Sequence, residues 1–345
     1  MNFNNSHKVP YLLYFIIFLF LYISLSLFTF PDALDITRYY ENVAYSVQSD
    51  IKLIDYIKHL LDSTIDFVYF SSLFIAYKLG ISLNIITTIY LSMYYICCLE
   101  LFRLNNNLIQ TKKLIIFYAL MCAPFIWVLE ISRNLAAISF FYIAVIFFLR
   151  KLKKVGLVFA IVSIFTHISM ITYIPIVCVA YLLSKKTYSI NHKYIAFIFV
   201  IMSIIGYLLP GKIIDVMTLL SEGSETRYSY YATYANINPL LNTIIGYGDK
   251  MPMFFIFIYS IIIVVKNKKH DFFFWMLFML TTMLSFALFS SLLLTNRIIM
   301  LMPLFVVGNL CSIPKAQSRL LYSLSIIGAI CVFAHFYSYR TAFSF

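Results

Sequence analysis

WVLEISRNLAAISFFYIAVIFFLRKLKK, residues 127–154, sets the class of the whole chain. Its middle is an unbroken apolar run, long enough for a membrane helix at about 1.5 Å per residue. Four basic residues, Arg150, Lys151, Lys153 and Lys154, crowd its far edge. Such clusters mark the cytoplasmic ends of membrane helices. Glu130 and Arg133 stand at the opposite edge. The positive-inside rule disfavours an arginine there, so Arg133 needs a second explanation.

Working outward, the same pattern repeats. The chain has 345 residues, of which 62% are hydrophobic and 12% charged, with a mean hydropathy of +0.90. These values exclude a soluble domain and fit a polytopic membrane protein. The 28 tyrosines gather often near run ends, where amphipathic rings favour the interface. A net charge of +12 invites an anionic partner. Yet 15 of the 26 Lys and Arg fall in five short loops (103–113, 150–154, 185–193, 266–269 and 315–319). Topology accounts for that charge, and no nucleic acid is expected. Cys97, Cys98, Cys122, Cys178, Cys311 and Cys331 lie in apolar segments or at their ends, without CxxC spacing or nearby histidine clusters. They read as small apolar residues, not as disulfides or zinc ligands.

Spans are expected near 11–30, 83–102, 114–130, 134–149, 194–209, 251–265, 272–293, 297–311 and 319–338. The first run lacks a small-residue cleavage site and reads as a retained helix. Residues 66–81 are short for a crossing and read as a partial or re-entrant segment. Residues 155–184 lie between two basic clusters, so they must go out and come back. That gives a hairpin of two short helices with His167 near its tip and Pro175 in its second arm. The expected fold is an all-α polytopic bundle, one integral membrane domain over 1–345, with roughly 10–12 segments in all. Two long outer loops, 31–65 and 210–250, complete it. In the first, Ile36, Tyr40, Val43 and Val47, then Ile54, Ile57, Leu61 and Ile65, recur at helical spacing and suggest amphipathic helices on the interface.

With the basic loops cytoplasmic, one set of polar residues shares the outer side: Asp32, Asp35, Arg38, Glu130, Arg133, His167, Arg227 and Arg297. An arginine at an apolar boundary is costly and is usually paired or functional, and its planar fork suits phosphate or carboxylate. Each residue also has a plainer reading. Arg133 can pair with Glu130 one turn away, Arg297 can snorkel to headgroups, and Arg227 can be a solvated loop charge. His167 can be a hydrogen-bonded core histidine, and Asp32 and Asp35 interface charges. The chain has no GxxxxGK phosphate loop, no HExxH, no DxD and no GxSxG elbow.

The order of these features resembles the EpsG/Wzy-type polysaccharide polymerases. The resemblance rests on DITRYY (residues 35–40), SRNLAAISFFYIAVIFFLRKLKK (132–154), VFAIVSIFTHISMITYIPI (158–176) and TNRIIML (295–301). The block from Arg133 to Pro175 is its most specific part. The family's Arg-Gln pair is Arg133-Asn134 here. The resemblance implies a bacterial inner-membrane enzyme that joins oligosaccharide repeat units carried on undecaprenyl pyrophosphate, acting at the periplasmic face to build O-antigen or exopolysaccharide. A glycosyl pyrophosphate is already activated, so neither ATP, nucleotide sugar, metal nor other cofactor is called for. Membrane lipids and a chain-length regulator protein are the other implied partners.

The residues fit that chemistry. Charge develops on the pyrophosphate as the glycosidic bond breaks, and arginines near a low-dielectric wall stabilise it. Arg133 and Arg297 take that role, with Arg227 as a clamp. An acceptor hydroxyl needs a base within hydrogen-bond reach. His167 is the first candidate and Asp35 or Glu130 the alternatives; a carboxylate can instead orient His167. Arg38, Tyr39, Asn134 and Tyr230 are candidates for contacting the substrate. A lipid-linked oligosaccharide flippase, a membrane acyltransferase and a glycan ligase are the competing readings.

Overall fold

The computed structural model describes residues 11–26, 35–49, 51–104, 132–185, 190–208, 251–266 and 270–290, together with 298, 301, 304 and 305. Among these residues the regular structure is entirely helical. The expected spans 114–130 and 319–338, and nearly all of 297–311, lie outside them. The chain divides into two compact units: Met1–Ile115 with Ala123–Val177, and Ile116–Cys122 with Cys178–Phe345.

The first unit opens with α1 (Tyr11–Ser26), α2 (Asp35–Gln48), α3 (Leu53–Ser63), α4 (Phe67–Lys78) and α5 (Leu83–Leu104). It continues with α6 (Ser132–Leu149), α7 (Lys153–Thr166), a 3-10 turn (Ile168–Thr172) and the start of α8 (Tyr173–Ser184). Helix α6 lies at its centre, buried from Leu135 to Ile146 except at Phe140 and Ile143. Its small residues Ala136, Ala137, Ser139 and Ala144 let neighbouring backbones come close, as lipid-embedded helices require. A Cβ on Gly156 of α7 would sit 3.1 Å from the Ala144 carbonyl oxygen. Ser163 of α7 donates across the same seam to the Ala137 carbonyl at 2.8 Å. The hairpin between α6 and α7 closes through Lys151, held at φ 65, with the Leu152 amide returning to Phe147 O at 2.9 Å.

Helix α5 packs on α6 through Tyr94 against Tyr142 and Cys97 against the Ser139 carbonyl. At the basic end, the Glu100 carboxylate accepts from both Tyr14 of α1 and Arg150. Arg150 therefore has a structural partner besides its place in the basic cluster.

Helix α4 has 12 residues and reaches about 18 Å, short of a hydrocarbon core of about 30 Å. It ends in a glycine-closed turn, with Gly80 at φ +69 and the Ile81 amide on Ala76 O. Beyond that turn, Tyr90 of α5 meets Ser72 and Tyr69 of α4. The apolar stripe of α2 turns inward onto α4, with Ile36 and Val43 fully buried. In α3 the two apolar rows separate. Tyr56 and Leu60 are buried, Tyr56 stacking on Phe74, while Ile54 and Leu61 face outward.

In the second unit, α9 (His192–Leu208), α10 (Met251–Lys266) and α11 (Phe272–Ser290) pack together. Gly206 makes the tightest crossing, since a Cβ there would meet the Phe286 carbonyl oxygen at 2.2 Å. Asp271 caps α11, accepting the Phe274 amide at 2.8 Å. Three described helices are long and apolar enough to cross a membrane, Leu83–Leu101, Ser132–Leu149 and Phe272–Phe289, and several shorter apolar ones accompany them.

Candidate functional site

Four separate elements of the first unit meet at one carboxylate. Asp66 stands at the N-terminus of α4, just after the α3–α4 link, with its side chain 6% exposed. Its Oδ2 accepts from Arg133 Nη1 at 2.7 Å and lies 3.0 Å from His167 Nδ1. Its Oδ1 accepts the Ile168 amide at 3.2 Å. Arg133 comes from the first turn of α6. His167 comes from the break between α7 and the 3-10 turn, where its extended backbone (φ −160, ψ 127) stops one helix before the next turn begins. That break exposes the Ile168 amide, which Asp66 then satisfies.

Aromatic rings from α2 and α4 frame the guanidinium. Arg133 Cζ lies 4.6 Å from the Tyr39 ring centre and 5.9 Å from that of Phe70. Arg38, on the exposed side of α2, sits 5.7 Å from the same Tyr39 ring. A cation over an aromatic face in a partly desolvated setting contributes about 0.5–2 kcal/mol. Next to Arg133, Asn134 accepts from the Ser169 hydroxyl at 2.9 Å, and Ser132 shares a hydrogen bond with Tyr69 at 2.6 Å. The 3-10 turn is therefore tied to α6 through Asn134 and to α4 through Asp66.

Burial raises the proton affinity of the Asp66 carboxyl. The hydrogen bond from His167, the positive charges of His167 and Arg133, and the Ile168 amide outweigh it and hold Asp66 below its ordinary range. Asp66 is thus an anion that accepts only, and the hydrogen between it and His167 belongs to Nδ1. In the neutral ring the basic lone pair is then on Nε2.

Of the residues singled out in the sequence, Arg38, Tyr39, Arg133, Asn134 and His167 come together here. Asp35 is the first residue of α2. Glu130, Arg227, Tyr230 and Arg297 lie outside the described residues. The ion-pair partner found for Arg133 is Asp66, which the sequence presents only as a seventh acid at the edge of the first loop. Its one local signal is its place immediately before the short apolar run FVYFSSLFIAYK.

The EpsG family model matches residues 11–345, nearly the whole chain and every residue of this cluster. The chain belongs to the EpsG family. No curated protein and no solved structure matches it. Family membership supports a polysaccharide polymerase-type role for a multi-pass membrane protein, and the block that first carried the resemblance, Arg133 to Pro175, supplies both Arg133 and His167.

Proposed function

We propose that this EpsG-family protein polymerises oligosaccharide repeat units carried on undecaprenyl pyrophosphate, at the outer, periplasmic face of the bacterial inner membrane. The observation that carries the reading is the meeting of a base, His167, and an anion-binding cation, Arg133, on one buried carboxylate. Helix lengths support the side. From the basic turn at Arg150–Lys154, α6 (18 residues) climbs about 27 Å and α7 (14 residues) about 21 Å. With that turn cytoplasmic, the cluster lies toward the outer boundary of a core about 30 Å thick.

In this reaction an acceptor sugar hydroxyl attacks the anomeric carbon of the donor chain. His167 Nε2 takes the hydroxyl proton as the new glycosidic bond forms. The bond from the anomeric carbon to the diphosphate oxygen breaks, and undecaprenyl diphosphate leaves with the electron pair. Arg133, with Arg38 at the exposed side of Tyr39, stabilises the charge that collects on the diphosphate. Asn134, held by Ser169, and the Tyr39 ring are placed to orient the sugar and phosphate groups. Arg297, Arg227 and Tyr230, which lie outside the described residues, keep their assignment to anion and sugar contacts in this proposal, and a chain-length regulator sets the extent of polymerisation.

The test is the glycan banding pattern of cells lacking the gene, complemented with wild type, His167→Ala or Arg133→Ala at matched membrane levels. The expected result is single-repeat glycan in the deletion, a ladder with wild type and none with either variant. Loss of all surface glycan with lipid-linked units trapped inside would instead identify a flippase. A full ladder lacking one decoration would identify an acyltransferase.

A further inference from the structure

Asp66 has no part in the reaction as written, yet it touches both reacting-group partners. We propose that Asp66 is the positioning residue of this site: one carboxylate that fixes the tautomer of His167 and holds the Arg133 guanidinium in place beside it. The inference rests on the polymerase reading for its chemistry but not for its geometry.

The geometry leaves Asp66 little freedom. Its Oδ1 is anchored by the Ile168 amide, the residue after His167, so the carboxylate and the imidazole are fixed to the same stretch of backbone. Its Oδ2 then faces Nδ1 at 3.0 Å and Nη1 at 2.7 Å at once. Carboxylate oxygens have lone pairs enough for all three donors. An ionised acceptor opposite Nδ1 selects the ring form with hydrogen on Nδ1 and directs Nε2 away from Asp66 as the base. The same oxygen holds one edge of the guanidinium, and Tyr39 covers its face at 4.6 Å. A planar fork pinned by one edge and one face has a defined direction for its other donors, which is what a diphosphate leaving group needs. Among the described residues, the charged and titratable neighbours of the pair come from α2 (Arg38, Tyr39), α4 (Tyr69) and α6 (Arg133).

A purely structural ion pair would tie α4 to α6 and α7 equally well, so the test must read the imidazole itself. Asp66→Asn keeps the shape and, with its oxygen on the Ile168 amide, sets its amide nitrogen in the place of Oδ2. It places an amide N–H opposite Nδ1, which forces the hydrogen onto Nε2 and abolishes the base. The full chain, labelled with ¹⁵N-histidine and placed in lipid nanodiscs, is compared as wild type and Asp66→Asn. His167→Gln identifies the His167 signals among the six histidines. The expected wild-type ring is the Nδ1–H form above its titration midpoint, and the expected Asp66→Asn ring is the Nε2–H form. In cells, Asp66→Asn should lose polymer by roughly 100-fold or more at equal protein level, the scale of losing a positioned base. Asp66→Glu should recover part of it. A wild-type Nε2–H ring overturns the proposal even if Asp66→Asn fails to insert. So does an unchanged ring in Asp66→Asn. The expected tautomers combined with a full ladder in cells lacking the gene would leave Asp66 as the orienter of His167 and sink the polymerase reading alone.

Discussion

Truncating Asp66 to alanine removes the shared acceptor of three donors at once. The Arg133 side chain is 18% exposed and that of His167 9%, so neither is fully rescued by solvent. Removing one partner of a buried pair costs about 3–5 kcal/mol, because the remaining charge has lost its compensation. The Ile168 amide adds about 1–3 kcal/mol if it goes unpaired, and partial escape of the guanidinium toward Tyr39 and solvent offsets a similar amount. A net loss of about 3–5 kcal/mol is therefore expected for Asp66→Ala. Arg133→Met keeps most of the stem volume and leaves Asp66 with His167 and Ile168, so about 2–3 kcal/mol is expected from the lost charge-assisted bond. Independent effects would sum to about 5–8 kcal/mol. The double variant instead contains no stranded cation, and its loss should stay near that of Asp66→Ala, a coupling of at least about 1.5 kcal/mol. Thermal unfolding in detergent micelles, followed by a thiol-reactive dye, measures this directly. With the exposed Cys178 replaced by serine, Cys97 and Cys98, which are buried in the first unit, react only as it opens. At about 2–4 °C per kcal/mol, the Asp66→Ala shift should be roughly 6–20 °C. Additivity within about 0.5 kcal/mol would refute the claim that one carboxylate compensates the guanidinium.

Three further outcomes follow from other contacts. Gly206→Ala should lower the melting temperature of the purified protein far more than Gly156→Ala. Its new Cβ meets a backbone carbonyl at 2.2 Å, whereas at Gly156 the contacts are 3.1 Å and include the Phe148 ring, which can rotate; about 1–3 kcal/mol against about 1 kcal/mol or less is expected. Glu100→Gln should destabilise by about 1.5–3 kcal/mol through the loss of its charge-assisted bond to Arg150, while complementation at matched protein level still restores the full glycan ladder. Tyr39→Phe should retain polymer synthesis and Tyr39→Leu should lose at least about tenfold, because the guanidinium sits on the ring face and not on the hydroxyl.

The helices were largely legible because lipid demands long apolar runs, and such runs announce themselves. Expected spans at 83–102, 134–149, 194–209 and 251–265 agree within two residues with α5, α6, α9 and α10. The division of 155–184 into two short helices was readable from the lysines on either side, and the structure breaks the stretch at His167. Arg133 and His167 stood out for the opposite reason: they are polar residues in apolar surroundings. Asp66 did not, because in the sequence it is one more acid at the edge of a loop that already holds several. Its significance comes from partners 67 and 101 residues away, which no local pattern encodes. The direction of the α3 stripes was ambiguous for a related reason, since Leu53, Ile54, Tyr56, Ile57, Leu60 and Leu61 form a band wide enough to bury on either side.

The short helices explain why the polar cluster sits where it does. A helix that stops inside a bundle leaves backbone N–H and C=O groups without helical partners, and in lipid these must be satisfied by protein. Helix α7, with 14 residues, and α8, with 12, both stop short of a full crossing, and α4, with 12, starts short of one. The start of α4 and the end of α7 meet at Asp66, where α6 also begins. A carboxylate there does two tasks that a longer, unbroken hairpin would not need. It caps the exposed Ile168 amide, and it compensates the cation that α6 brings to the same place. A continuous helix through residue 168 would turn that amide into an ordinary helical donor and carry His167 onto a helix face, removing the reason for Asp66 to be buried. The break at His167 and the burial of Asp66 are therefore one structural feature, and the imidazole is held by the same contacts that make the interrupted hairpin tolerable in a membrane.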